Sequence, residues 1–424
     1  MTHFGILTPG AATGPLNTML PLGQELQRRG HRVTLFGVAD AQSKVEAAGI
    51  EFIPLGETEY PVGSSANILQ QLGELKGLAA LQYTIQALKR LCAINLQYAP
   101  SAMREAQVEA LLVNQGVAEG GSIADVLGIP FITVGSAVVL NQDPIIPPFF
   151  TSWPYSTSVW ARLRNQFGYS LLNLVALPMG NLIHQYRKAQ ALPRYAKPND
   201  AYSKLAQLSQ APIEFEFPRQ NLPPWFHFTG TYHTPSSRAA VPFPYEKLTE
   251  QPLIYASMGT LQNRIVEVFQ TIATACEGLD AQLVISLGGS AQPEDLPRLA
   301  GDPIVVSYAP QLELLARATL MITHAGMNTT MECVKHGVPM VAIPVANDQP
   351  GVAARIAWTG VGEMIPLKQL NVDKLRSAVQ RVLTQPSYKE NALRLQSATN
   401  RAGGVQRAAD IIEQAITTGK PVLA

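Results

Sequence analysis

Charged residues, cysteines and long apolar runs are all scarce in this 424-residue sequence. Asp, Glu, Lys and Arg make up 15% of the chain, and 32 Lys+Arg almost balance 31 Asp+Glu. A net charge of +1 without blocks of like charge gives no electrostatic basis for binding nucleic acid. The three cysteines, Cys92, Cys276 and Cys333, lie far apart. They predict neither a disulfide framework nor a cysteine metal site, and they favour a reducing compartment.

Membrane and export signals are missing as well. Residues 1–10 lack a basic start and a long apolar core, so no signal peptide is predicted. No window reaches 18 uninterrupted apolar residues, so no transmembrane segment is expected. Because 46% of the residues are apolar, the chain is expected to fold into a globular protein, and we expect it in the cytoplasm.

Three common motifs of α/β enzymes are absent. The sequence has no Gly-x-Gly-x-x-Gly, no phosphate loop ending in Gly-Lys-Ser/Thr and no Gly-x-Ser-x-Gly. Nicotinamide dehydrogenases, P-loop NTPases and serine hydrolases therefore lose their usual sequence support.

Short apolar runs alternate with helical patterns in two parts of the chain. Residues 4–8 and 32–37 are predicted strands on either side of a helical pattern over 16–29, a β-α-β unit that implies parallel strands. The alternation restarts at residue 253, after a proline-rich stretch with the composition of a linker. We predict an α/β protein of two doubly wound, Rossmann-like domains that face each other across a cleft. The predicted parts are a first domain at 1–232, a linker at 233–252, a second domain at 253–400 and a helical segment at 401–424.

Between residues 141 and 225 the pattern changes. Proline and aromatic residues crowd together, Phe149 and Trp153 among them, and helical periodicity is patchy. Two interpretations stay open for this cluster. In the first the cluster packs between the domains, and in the second it forms one wall of a binding site.

The most informative stretch runs from residue 320 to 332, Leu-Met-Ile-Thr-His-Ala-Gly-Met-Asn-Thr-Thr-Met-Glu. A predicted strand ends before His324, and Gly326 permits a tight turn into a helix. The first N–H groups of a helix favour an anion, phosphate being the usual one. Asn328 and Glu332 lie one turn apart on the same helix face, about 6 Å from each other along the axis. A carboxylate in that place suits the hydroxyls of a ribose.

Two further strand ends add matching chemistry. Tyr308 follows a predicted strand and could stack on a base, and Asp348 with Gln349 could bind sugar hydroxyls. Partners for phosphate, ribose, base and sugar thus fall on strand ends of one domain, as a nucleotide sugar requires.

These stretches resemble a known family. Residues 308–311 (Tyr-Ala-Pro-Gln), 323–332, 336–339 (His-Gly-Val-Pro) and 348–349 (Asp-Gln) are similar to the donor signature of the UDP-dependent glycosyltransferases. The opening, with Gly14, Asn17 and residues 29–34, looks like the same family's. The resemblance implies the two-domain GT-B fold and inverting, metal-independent chemistry. It also implies that the C-terminal helix packs back on an acceptor-binding first domain.

The resemblance implies a donor site made of Thr260, Tyr308, Gln311, His324, Gly326, Met327, Asn328, Thr329, Glu332, Asp348 and Gln349. Tyr308 would stack on uracil and Gln311 would reach the nucleoside. The turn and helix from His324 to Thr329 would hold the diphosphate, with Thr260 nearby. Glu332 would bind the ribose, and Asp348 and Gln349 the transferred hexose.

The family's catalytic positions are the exception. Alignment puts Pro15 where inverting members place a histidine base and Asn114 where they place its aspartate partner. Neither residue can take a proton. Three explanations stay open: another base in the cleft, catalysis by positioning and donor electrostatics alone, or loss of transfer activity.

We expect transfer of a hexose, glucose from UDP-glucose, to a hydroxyl of a lipophilic small molecule. Phe149 and Trp153 are the candidate acceptor contacts, and neither a cofactor nor a metal is expected. Two alternatives are a nucleotide-sugar-binding protein with weak or no transferase activity and a nucleotide-sugar epimerase of the same fold. The sequence does not indicate an oligomeric state.

Overall fold

Two parallel β-sheets, of seven and six strands, organise the chain. The structure is a computed structural model, and it describes residues 1–75, 77–233, 241–259, 266–289 and 291–424. We call the seven-stranded sheet with its helices the first domain, and the six-stranded sheet with its helices the second domain.

The first sheet has the strand order β3-β2-β1-β4-β5-β6-β7. Its strands are β1 (His3–Leu7), β2 (Arg32–Gly37), β3 (Glu51–Pro54), β4 (Ala110–Asn114), β5 (Phe131–Gly135), β6 (Gln207–Ser209) and β7 (Phe226–Phe228). The helices that connect them are α1 (Thr13–Arg28), α2 (Gln42–Ala47), α3 (Ser64–Glu74), α4 (Gly77–Glu105), α5 (Gly120–Leu127) and α6 (Val159–Ala189).

The second sheet has the order β10-β9-β8-β11-β12-β13. Its strands are β8 (Leu253–Ser257), β9 (Gln282–Ser286), β10 (Ile304–Val306), β11 (Ala318–Thr323), β12 (Met340–Ala342) and β13 (Gly362–Met364). The remaining helices are α7 (Val266–Cys276), α8 (Gln311–Leu315), α9 (Met327–His336), α10 (Gln349–Trp358), α11 (Val372–Thr384), α12 (Pro386–Arg401) and α13 (Gly404–Thr418).

Both sheets are doubly wound, as the alternation of apolar runs predicts. Every residue of β1, β4 and β8 is buried, because helices cover both faces of each sheet. Strands buried on both faces read as continuous apolar runs, which explains why the sequence pattern locates them. The strand order reverses between β1 and β4 and again between β8 and β11. Such reversal points are where doubly wound sheets bind ligands, beyond the carboxyl ends of the strands.

The last helix, α13, packs on the first domain. Its residues Ile411 and Ile412 share a buried cluster with Leu22 and Leu26 of α1. Arg29, just after α1, donates hydrogen bonds to Asp410 (2.7 Å) and Glu413 (2.6 Å) of α13. Beyond the helix, the N–H of Val422 donates to the carbonyl of Leu205 (2.9 Å).

Several elements differ from the sequence-based expectation. The stretch with patchy periodicity contains the 31-residue helix α6 and the short strand β6, and the short strand β7 begins directly after the stretch. Three-residue strands are too short for a pattern, and the helical periodicity of α6 is obscured because many of its apolar residues face solvent. Arg401 ends α12, and the final helix begins at Gly404 because Gly403 turns the chain at φ +89°. None of the described helices combines the length and apolarity needed to cross a bilayer.

Candidate functional site

The two domains meet through the first turns of α1 and α9. The Asn328 side chain donates to the carbonyl of Gly14 (2.7 Å). Its Oδ1 accepts from Gln210 Nε2 (2.8 Å) and Thr18 Oγ1 (3.2 Å). The amide therefore bridges the domains, whereas the sequence interpretation has it facing a diphosphate. The group that Asn328 offers to an anion is its backbone N–H.

The start of α9 has the geometry of an anion site. Gly326 occupies the N-cap position in extended conformation, and no side chain caps the helix. Ala325 turns the chain from β11 into the helix with φ +64°, a left-handed conformation that non-glycine residues adopt rarely and at some cost. The N–H groups of Met327, Asn328 and Thr329 thus lie at the positive end of the helix dipole. Met327 contributes only its N–H, since its side chain is buried.

His324 lies at the carboxyl end of β11, between two glycines. A Cβ atom added to Gly259 would be 2.6 Å from the ring Nε2, and one added to Gly326 would collide with the same atom. Burial lowers the pKa of His324 to about 4, although a hydrogen bond with the backbone of Ser257 opposes the shift. The imidazole is therefore neutral near pH 7 and acts as an uncharged hydrogen-bonding group beside the helix start.

Tyr308 forms an exposed platform at the end of β10. Its ring lies against Gly289, where a Cβ atom would overlap ring carbons, and Gly289 itself has φ +81°. The N–H of Gly289 donates to the carbonyl of Ser307 (2.9 Å), which fixes the turn below the ring. The Tyr308 residue is still 52% exposed, so part of its surface is available for stacking.

Glu332 is fully buried one turn beyond the start of α9. Gln311, the first residue of α8, donates through Nε2 to Glu332 Oε2, and the same amide lies 3.4 Å from Thr329 Oγ1. His233 Nε2 lies 3.2 Å from Glu332 Oε1. The structure thus groups Gln311, Thr329 and Glu332, as the donor interpretation requires. It adds His233, a lone histidine without any motif around it.

Asp348 and Gln349 lie at the start of α10. Burial raises the pKa of Asp348, although its carboxylate accepts a backbone hydrogen bond from Val138 of the first domain. The Gln349 Oε1 accepts from the N–H groups of Val345 (2.8 Å) and Ala346 (3.0 Å). Asp348 thus lies in the cleft between the domains, and Gln349 braces the loop that presents it.

The two family positions for the catalytic pair lie in the first domain. Pro15 is in the first turn of α1, where the missing N–H costs nothing. Asn114 ends β4, donates to Ser136 Oγ (2.9 Å) and accepts from the N–H of Gly116 (3.0 Å). No sequence motif marks Gln210, which is fully buried and links the Ser136 carbonyl (3.2 Å) to Asn328.

The two candidate acceptor aromatics have different surroundings. Phe149 packs on the core of the second domain, and its backbone leaves no room for a side chain at Gly351 of α10. Trp153 lies against Gly168 of α6, with the guanidinium of Arg164 4.9 Å above its ring. Phe149 is therefore a contact between domains, and Trp153 packs within the first domain.

A buried ion pair joins the domains next to this loop. Glu216 Oε1 accepts from Arg355 Nε (2.9 Å) and from its terminal nitrogen (2.6 Å), and the two side chains are 4% and 1% exposed. Burial opposes ionisation, but the charges of Arg355 and Arg219 outweigh it and lower the pKa of Glu216. The Arg355 guanidinium also lies 4.4 Å from the ring centre of Phe217.

The two remaining expectations concern Thr260 and a metal ion. Thr260 lies outside the described residues. Among the residues that are described, no group of three His, Cys, Asp or Glu side chains is close enough to hold a metal ion.

Comparisons with known proteins identify the family of the chain. The family model described as UDP-glucoronosyl and UDP-glucosyl transferase matches residues 65–401. A zeaxanthin glucosyltransferase from Pantoea ananas is 33% identical over 429 residues, covering all of this chain and 98% of that protein. A second, from Pseudescherichia vulneris, is 30% identical over the full length of both.

Solved glycosyltransferase structures share the fold. The glycotransferase of kitacinnamycin matches 97% of this chain and 98% of its own with a TM-score of 0.76 at 22% identity. The calicheamicin glycosyltransferase matches 99% of this chain and all of its own with a TM-score of 0.73 at 21% identity. The chain therefore belongs to the UDP-glucuronosyl and UDP-glucosyl transferase family, as a GT-B glycosyltransferase that uses a nucleotide-sugar donor and a small-molecule acceptor.

Proposed function

We propose that the protein transfers glucose from UDP-glucose to a hydroxyl group of a lipophilic small molecule, with inversion and without a metal ion. The observation that carries the proposal is the grouping in one domain of an aromatic platform, an uncapped helix start and a buried carboxylate. These are Tyr308, the first turn of α9 and Glu332. They match the base, the diphosphate and the ribose of one nucleotide.

Each donor group has a partner of suitable chemistry. Uracil stacks on the exposed part of Tyr308. The ribose is assigned to Glu332, whose buried carboxylate its hydroxyls reach once Gln311 or His233 moves away from it. The diphosphate accepts from the N–H groups at the start of α9, where the helix dipole favours negative charge. The neutral His324 adds a hydrogen-bond donor there without an ionic interaction that would hold the leaving UDP. Asp348 and Gln349 are assigned to the hexose.

Glucose and a lipophilic acceptor are proposed from the relatives. Two proteins similar to this chain over its full length are named zeaxanthin glucosyltransferases. The composition fits such an acceptor, because only 15% of the residues are charged. The relatives and structural neighbours are glycosyltransferases, which favours transfer over epimerisation and over binding alone.

Transfer without the usual base is the mechanistic part of the proposal. The acceptor oxygen attacks the anomeric carbon while the bond to the β-phosphate oxygen breaks on the opposite side. Neither Pro15 nor the hydrogen-bonded Asn114 can accept the proton that the hydroxyl loses, so that proton passes to solvent water. Catalysis then depends on positioning and on stabilising the charge of the departing UDP. General base catalysis contributes typically 10²–10⁴-fold, so we expect slow transfer that is fastest with acidic hydroxyls such as phenols.

The test is a matrix of donors and acceptors assayed by product mass. UDP-glucose is compared with UDP-galactose and UDP-N-acetylglucosamine, each with zeaxanthin, a phenol, an aliphatic alcohol and a serine peptide. We expect glucosylation of the lipophilic acceptors, strongly reduced in Glu332→Gln and retained in the control Glu294→Gln, which alters an exposed carboxylate. Transfer confined to the peptide, or conversion of the UDP-sugar without any acceptor, would contradict the proposal.

A further inference from the structure

One face of α6 exposes an unusual amount of apolar surface. Seven large apolar side chains on this helix are between 46% and 80% exposed. They are Val159, Trp160, Leu163, Phe167, Leu171, Leu174 and Leu177. Exposed apolar residues are ordinary when scattered singly, but a contiguous group on one element marks a surface that binds something.

The spacing of these residues makes them one continuous stripe. From Trp160 to Leu177 they recur every three or four residues, which places them on the same side of the helix over about 26 Å. The opposite side of α6 carries the buried residues, including Asn165, Tyr169 and Ile183, and packs against α4. The first domain therefore folds without using the stripe.

The charges on α6 all have one sign. Residues 159–189 contain no Asp or Glu, whereas Arg162, Arg164, Arg187 and Lys188 are basic. Arg187 pairs with Asp125 (2.7 Å) and Arg164 covers Trp153, but Arg162 and Lys188 are exposed near the two ends of the helix. The neighbouring helix α4 adds the exposed Leu81 and Leu88.

We propose that this face of α6, the stripe together with Arg162 and Lys188, docks on the surface of a bilayer that contains anionic lipids. An apolar face with a tryptophan near one end, flanked by basic and no acidic residues, is the chemistry of helices that lie in the plane of a membrane interface. Anionic headgroups complement the basic residues. A second copy of the chain would instead bring helices of the same charge together. The proposal goes beyond transfer chemistry and brings the enzyme to where lipophilic acceptors dissolve.

Vesicle co-sedimentation tests this directly and requires no turnover. Protein is mixed with vesicles of phosphatidylcholine alone, or with about one third phosphatidylglycerol. We expect binding to the anionic vesicles, reduced by salt because surface charges are screened. The double variant Phe167→Gln with Leu171→Gln should bind at least tenfold more weakly. The control Ile213→Gln, which alters a residue 62% exposed outside α6, should bind like the wild type.

A second variant separates the two parts of the interaction. Arg162→Gln with Lys188→Gln should weaken binding to the anionic vesicles and leave binding to phosphatidylcholine unchanged. Unfolding midpoints and UDP affinity should equal the wild-type values in every variant, which shows that the fold and the donor site are intact. Wild-type protein that does not sediment with anionic vesicles, or a Phe167/Leu171 variant that binds as well, overturns the proposal. A dimer in solution that the same variant dissociates assigns the stripe to a second copy instead.

Discussion

Replacing Glu216 by glutamine should destabilise the contact between the domains strongly. The substitution preserves the shape of the side chain and leaves two buried charges, those of Arg355 and Arg219, without their counter-charge. Removing one partner of a buried ion pair typically costs 3–5 kcal/mol. Arg355 keeps the carbonyl of Gly351 (2.8 Å) and the ring of Phe217, so we expect the lower end, about 3 kcal/mol.

Equilibrium urea unfolding followed by tryptophan fluorescence measures this loss. Trp358 reports on the region, because its ring centre lies 5.8 Å from that of Phe217. The matched control is Glu51→Gln, which breaks an exposed pair with Arg32 and should change stability little. The double variant Glu216→Leu with Arg355→Met should be more stable than Glu216→Gln, because it leaves one buried charge, that of Arg219, without its carboxylate partner instead of two.

The pH dependence gives a second readout. Since the folded-state pKa of Glu216 is lowered, the pair stabilises the protein above the ordinary carboxyl pKa and ceases to do so as the pH falls through the lowered value. The difference in the free energy of unfolding between wild type and Glu216→Gln should therefore be largest at neutral pH and vanish in acid. Equal stabilities of the two proteins at neutral pH would refute the reasoning.

Four further outcomes are expected. Glu332→Gln should weaken UDP binding by about 1.5–3 kcal/mol, roughly 10- to 150-fold, in calorimetry, and an unchanged affinity would disprove the ribose assignment. Because the pKa of His324 is lowered to about 4 from 6.5, its ring signals in NMR should not titrate between about pH 6 and 8, and its contribution should make the protein less stable as the pH falls from about 6.5 towards 4. EDTA should leave transfer unchanged; a loss restored by Mg²⁺ or Mn²⁺ would show that a metal takes part. Pro15→His with Asn114→Asp should accelerate transfer to aliphatic alcohols more than to phenols if the base site is vacant, and no gain for either would argue against that explanation.

The fold could be predicted to the extent that burial leaves a local pattern. Strands β1 and β8 are buried on both faces and stand out as apolar runs between turns. Strands β6 and β7 have three residues each, and their place is set by pairing with β5 and with each other rather than by their own sequence. The helix α6 is hard to predict from the sequence because its exposed face is apolar. The usual difference between a polar exposed face and an apolar buried face is therefore lacking.

In the site, too, only the residues that belong to a local sequence pattern can be predicted. Tyr308, His324 and Glu332 can be predicted because Tyr308 follows strand β10, His324 follows strand β11, and Glu332 lies in the helix that begins directly after β11. Gln210 and His233 act through partners that are distant in sequence. Gln210 bonds to a residue 118 positions away. Contacts between residues so far apart leave no local sequence pattern. The position of the Asn328 amide between the domains cannot be predicted from the sequence for the same reason.

The path of α13 determines the order in which the molecule can fold on the ribosome. Domains usually fold as they emerge, the N-terminal one first. Here α1 buries Leu22 and Leu26 against Ile411 and Ile412, which are translated about 390 residues later. All strands of the second sheet have left the ribosome by then, so that sheet can form while the apolar side of α1 is still uncovered. The first domain is therefore translated before the second domain and completed after it.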